Sequence, residues 1–150
     1  MRAIYVTAMA VSLLIFILSL VVLAEEEVNY SQVVTAAWFD YGSDLNYSSR
    51  ILEDYVNKNI SDAEAIQSLM AVYVMAGRTA ANLANLEPPA EFSDFHNYTF
   101  RAVEYFRLYL WNLAKFIETR YTVYGQDAMS NFNTSLEYRE KALEESVLLL

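Results

Sequence analysis

The pattern of hydrophobic and polar positions changes character at residue 24. Residues 3–24 form an apolar run without a charged side chain, and at about 1.5 Å per helical residue they reach roughly 33 Å, the thickness of a bilayer core. Arg2 precedes the run and Glu25, Glu26 and Glu27 follow it, an asymmetry that places the short N-terminus inside and the rest of the chain outside. Thr7, Ser12 and Ser19 do not make a polar stripe, which argues against a buried helix of a soluble core. Val22-Leu23-Ala24 also offers a small-residue cleavage site. Residues 1–27 are therefore expected to be either a retained transmembrane anchor or a signal peptide cut after Ala24, with acidic juxtamembrane residues, and residues 28–150 an extracytoplasmic domain.

Beyond the run the pattern becomes periodic. From Val28 to Asn57 the positions Val34, Trp38, Tyr41, Leu45, Leu52 and Tyr55 recur at three-and-four spacing, one face of a helix, with Gly42-Ser43 predicting a kink or loosening. Asn57-Lys58-Asn59-Ile60 reads as a connection. Ser61-Asp62-Ala63-Glu64 has capping-box spacing and opens a second helix. Its expected inward face is Ile66, Met70, Tyr73, Gly77, Ala80 and Ala84, with Ala76 and Ala81 beside them. Pro88 and Pro89 end it, each lacking an N–H and disfavouring helical geometry in the residue before.

A third helix is predicted over Glu91 to Tyr124, its seam at Phe92, Phe95, Thr99, Ala102, Phe106, Leu110, Leu113, Ile117 and Tyr124, with Gly125 as its C-terminal cap. Residues 127–149 give a fourth, opened by Asp127 and carrying Met129, Phe132, Leu136, Leu143 and Val147 on one face, which Arg139 interrupts. The apolar ending Val147 to Leu150 is too short to span a membrane and suits a last turn or a contact with the membrane surface. Short connections make sequential helices antiparallel neighbours, so the expected fold is all-α: an antiparallel up-down-up-down four-helix bundle preceded by a transmembrane helix or signal peptide.

Composition narrows the chemistry. Three glycines and two prolines in 150 residues favour long helices. The absence of cysteine excludes disulfides, thiolate metal sites, covalently attached c-type haem and cysteine nucleophiles. The formal charge is −9, and because Arg2 is the only charge before residue 25, the remainder carries −10. A surface that acidic repels phosphate backbones and excludes nucleic acid as the expected partner.

Five acceptor triplets for N-glycosylation begin at Asn29, Asn46, Asn59, Asn97 and Asn133, where the ten asparagines and nineteen Ser/Thr would give roughly one by chance. Asn97 falls opposite the third helix's seam and Asn59 in a connection. His96, the only histidine, is expected to hydrogen-bond across the proline turn; a transition-metal site would want a second histidine, and the Glu-x-x-His of di-iron bundles is missing because residue 93 is Ser. Glu91, Asp94 and Glu104 lie near it as carboxylates of a solvated face. No Gly-rich phosphate loop, Gly-x-Ser-x-Gly elbow or His-Glu-x-x-His motif is present, so no catalytic, cofactor-binding or metal-ligating residue is expected. Twelve tyrosines, eight phenylalanines and two tryptophans are many for a narrow bundle; most are expected in the core, and Trp38, Tyr109 or Trp111 can contribute to an aromatic surface patch.

Leu83 and Leu86 before Pro88-Pro89, then Phe92 and His96 heading an aromatic helix, resemble a pattern in extracytoplasmic helical proteins of bacteria and archaea that carry a signal or lipoprotein N-terminus and have no known activity. The likeness covers about residues 83 to 145 and lacks the lipidated cysteine. It implies an exported, non-catalytic helical domain. The expected function is thus that of a membrane-tethered or exported, non-enzymatic surface protein acting through protein binding or self-association. Two alternatives stand beside it: a small-molecule sensor module working with a partner, and a metal or haem protein built on His96 with Met70 or Met129.

Overall fold

Each periodic stretch becomes a helix in the computed structural model of the protein, which describes residues 30–148. The chain divides into two compact units, Met1–Gln32 and Val33–Leu150, and the packed helices belong to the second. Residues 3–24, Asn29 and the last two leucines lie outside the described residues. Among the described residues no helix is long and apolar enough to cross a membrane.

Helix α1 is described over residues 30–56 and is one continuous helix through Gly42-Ser43. Its buried side chains are Tyr30, Val34, Ala37, Tyr41, Asp44, Ser48 and Ile51; Trp38, Leu45, Leu52 and Tyr55, expected on one face with Val34 and Tyr41, are half-buried flanks. The helix closes on a Schellman arrangement: Asn59 N–H donates to the Asp54 carbonyl at 2.8 Å and Lys58 N–H to the Tyr55 carbonyl at 3.1 Å, with Lys58 at φ 60°.

Helix α2 (Asp62–Ala84) starts where the capping box predicts. The Ser61 hydroxyl accepts the Glu64 N–H at 3.3 Å, and the Glu64 carboxylate accepts the Ser61 N–H at 2.8 Å, which holds the Glu64 pKa below its ordinary value. The buried face is Ala65, Leu69, Val72, Ala76, Thr79, Ala80 and Leu83. The expected face is therefore corrected by about one residue: Ile66, Met70, Tyr73 and Gly77 are half-buried, while Ala81 and Ala84 are exposed.

After the two prolines a single 3-10 turn (Ala90–Phe92) leads into α3 (Ser93–Thr119). Here the predicted seam is found at Thr99, Ala102, Phe106, Leu110 and Ile117, all buried, together with Val103, Tyr109 and Ala114. The helix ends earlier than predicted. Arg120 adopts the left-handed conformation at φ 61° and its N–H caps the Phe116 carbonyl at 2.8 Å, and α4 (Thr122–Leu148) begins two residues later. Gly125 lies inside α4, where a Cβ would stand 3.3 Å from the Phe116 ring, so it permits close approach of α3 and α4 rather than capping a helix. The buried positions of α4 are Ala128, Ser135 and Ala142, whereas Met129 and Leu143 are exposed.

Helix α3 packs against both α2 and α4, and side-chain contacts give the directions. Trp38 meets Phe95, Tyr41 meets Phe106, and Tyr55 meets Arg120, so α1 runs with α3. Asp62 meets Arg120 and Tyr73 meets Arg107 and Trp111, so α2 runs against it. Tyr109 meets Phe132 and Tyr98 meets Tyr138, so α4 does too. The described chain is an all-helical domain of packed helices.

Candidate functional site

Two sides of α3 gather the polar and aromatic groups, one inside the fold and one on its surface. Inside, the Ser135 hydroxyl donates to the Ala102 carbonyl at 2.7 Å, which uses its single proton. Tyr41 Oη, 2.7 Å from Ser135 Oγ, must then be the donor of that second bond. The resulting chain, Tyr41 to Ser135 to Ala102, ties α1, α4 and α3 together. Burial keeps the Tyr41 pKa above that of an ordinary phenol, partly offset by the Ser135 bond and the charge of Arg139. Arg139 itself is exposed, so it extends to solvent and does not sit in the seam of α4.

One turn along α1, Asp44 is 2% exposed and has no ion-pair partner among the described residues. Burial, and then repulsion from Asp40, push its pKa up to about 6. A buried acid of this kind is a stability cost at neutral pH, and among the described residues it belongs to no group of three or more His, Cys, Asp or Glu that could hold a metal ion.

On the surface, α2 and α3 present a ladder in which ion pairs flank two aromatic rings. Arg107 pairs with Glu104 at 2.9 Å, donates to Tyr73 Oη at 3.2 Å, and its guanidinium carbon lies 5.3 Å from the Tyr73 ring centroid. The Tyr73 ring lies 5.8 Å from Trp111, and Lys115, paired with Glu118 at 2.7 Å, sits 5.2 Å from the Trp111 centroid. Beside the ladder an open groove of about 180 Å³ is lined by Ile66, Met70, Trp111, Ala114, Lys115 and Glu118. Trp111 is 40% exposed, and Leu108, one turn away on α3, is exposed as well. Ile66 and Met70 stand at the edge of the packed face of α2 and so line the groove.

Comparison with known protein families, with curated proteins and with solved structures found no match. The site therefore rests on its own geometry.

A second aromatic strip lies between α3 and α4, where the Tyr105 ring stacks on Tyr138 at 5.6 Å and 12°, and Arg101 and Lys141 approach the same ring at 5.8 and 5.1 Å. Its rings are all half-buried and occupy one another.

Of the three aromatic residues expected to compete for a surface patch, Tyr109 is buried and Trp38 is half-buried against Phe95 at 6.4 Å; Trp111 alone of these reaches the surface. His96 is half-buried in the first turn of α3, and burial lowers its pKa. Fifteen residues along the helix separate it from Trp111 and the groove that holds Met70, about 22 Å at 1.5 Å per residue, so the fold does not bring His96 and Met70 together. Among the described residues no group of three or more His, Cys, Asp or Glu could hold a metal ion. Glu91 and Asp94 are exposed, and Glu104 is engaged by Arg107. Asn46, Asn59, Asn97 and Asn133 are all exposed.

Tyr73, Arg107 and Lys115 are site residues that the sequence reading misses. The signal available was their spacing: Glu104, Arg107, Trp111, Lys115 and Glu118 follow three-and-four steps along one stripe of α3.

Proposed function

We propose that the protein is a non-enzymatic surface protein, tethered to the membrane by residues 3–24 or exported, whose helical domain acts by binding another protein or a second copy of itself. In this reading the described helices form an antiparallel up-down-up-down four-helix bundle preceded by the N-terminal transmembrane helix or signal peptide. The alternating helix directions support it, as does the seven-residue recurrence of buried positions such as Ala37, Asp44 and Ile51 or Ala128, Ser135 and Ala142.

The observation that carries the binding function is the α2/α3 groove. Sites for small molecules usually enclose about 300 to 1,000 Å³, whereas this groove offers about 180 Å³ and is open. That is room for one large apolar side chain of a partner, next to a tryptophan of the kind that dominates protein interfaces. At this groove, size favours a protein partner over the alternative, an extracytoplasmic small-molecule sensor.

The test uses the full-length protein in its native membrane with a photo-crosslinking residue at position 111 and, separately, at the exposed Ser130 on α4. A discrete protein adduct from 111 and none from 130 is expected. Absence of an adduct at 111, together with a small ligand that raises the melting temperature or with turnover of a substrate, would overturn the reading.

A further inference from the structure

Four of the five acceptor triplets lie among the described residues, and the backbone sorts them. A triplet is defined by its asparagine and by the hydroxyl two residues on, so a transferase must reach both. On an α-helix these side chains are about 200° apart. Asn46-Tyr47-Ser48, Asn97-Tyr98-Thr99 and Asn133-Thr134-Ser135 all lie inside helices: their asparagines face solvent, while Ser48, Thr99 and Ser135 are buried. Those hydroxyls are already committed, Ser48 to the Leu45 carbonyl, Thr99 to that of Phe95 and Ser135 to that of Ala102.

Asn59-Ile60-Ser61 differs in lying between helices and in the exposure of both its side chains. Asn59 stands just past the left-handed Lys58 that closes α1, and Ser61 precedes α2 with extended backbone at φ −75° and ψ 165°. Both side chains are exposed. The Asn59 amide is held only by a surface bond to Asp54 Oδ1 at 3.0 Å, and the Ser61 hydroxyl by the exposed Glu64 cap.

We infer that, of the four described triplets, Asn59-Ile60-Ser61 is the one that carries an N-linked glycan, on Asn59; this rests on the extracytoplasmic placement proposed above. The donor is an oligosaccharide activated on a lipid phosphate or diphosphate and presented by a membrane transferase. The Asn59 amide nitrogen attacks the anomeric carbon; the N–C bond forms as the carbon–oxygen bond to phosphate breaks. One amide proton passes to a base of the transferase and the lipid phosphate leaves.

Trypsin separates the four triplets, because cleavage after Lys58, Arg78, Arg101, Arg120 and Arg139 releases Asn59 in peptide 59–78, Asn97 in 79–101 and Asn133 in 121–139, with Asn46 ahead of Arg50. In full-length protein from native membranes, added sugar mass is expected on 59–78 and absent from 79–101 and 121–139, and Asn59→Gln should abolish it. Sugar on 79–101 or 121–139 with none on 59–78 would overturn the inference. So would an unmodified 59–78 in a chain that surface labelling of intact cells reaches. A chain that surface labelling cannot reach would sink the extracytoplasmic placement first and the glycan with it, so the two failures are distinguishable.

Discussion

The two sides of α3 treat polar groups in opposite ways. Toward α2 the charged groups stay at or near the surface, where Glu104, Arg107, Lys115 and Glu118 pair and cover aromatic rings beside an open groove. Toward α1 and α4 polar groups are taken inside, as the Tyr41, Ser135, Thr99 and Asp44 side chains are. The difference teaches which side is free to meet something else. Exterior pairs can be rearranged at small cost, whereas an interior polar group must keep its partner or lose stability.

The contrast predicts its largest effect between two aromatic residues of the same helix. Phe106 is fully buried under Tyr41, so Phe106→Ala should cost about 3 to 5 kcal/mol. Trp111→Ala should cost roughly 1 kcal/mol, because much of the ring is already in water. Urea titration of the full-length protein followed by circular dichroism measures both, and equal losses would erase the distinction between inside and outside.

Asp44 sharpens it through pH. Its folded pKa of about 6 lies above the ordinary 3.8, so the folded chain holds a proton that the unfolded chain releases between those values. Stability from this group is full below pH 3.8 and is lost as pH rises through 6. The shift corresponds to at most about 3 kcal/mol. Asp44→Asn should recover most of that at pH 7 and flatten the profile between pH 4 and 7; an unchanged profile would mean that Asp44 is solvated.

Ser135→Ala leaves the Tyr41 hydroxyl without its acceptor in the interior and should cost about 2 kcal/mol. Adding Tyr41→Phe to it should cost little more, and the double-mutant cycle reads the coupling. The smallest effect is expected at Gly42. Nothing lies within 4 Å of a Cβ there, so Gly42→Ala should raise stability by about 0.5 to 1 kcal/mol through helix propensity, whereas Gly125→Ala gains less because the Phe116 ring is in the way.

How well the sequence reads depends on which helix supplies bulk. In α3 the large residues point inward, and Phe106, Leu110 and Ile117 declare the face at once. In α2 and α4 many of the innermost positions are small, Ala65, Ala76 and Ala80 in one and Ala128, Ser135 and Ala142 in the other. Large neighbours such as Met70, Met129 and Leu143 therefore draw the apparent face away from the packed one. The capping box at Ser61 is legible because it is local. The end of α3 is not, because a left-handed arginine held by Tyr55 and Asp62, more than fifty residues earlier, takes the place expected of Gly125. The groove escapes a sequence reading for the same reason as the register of α2, and Trp111 alone points to it.

The placement of the two tryptophans has an optical consequence. Trp38 lies against Phe95 near the start of α3, whereas Trp111 is open to water far along the same helix. Their emission should separate into a shielded component and one that aqueous quenchers reach. Anything that fills the groove must dim access to the second and leave the first alone, so the chain carries its own fluorescent gauge of occupancy.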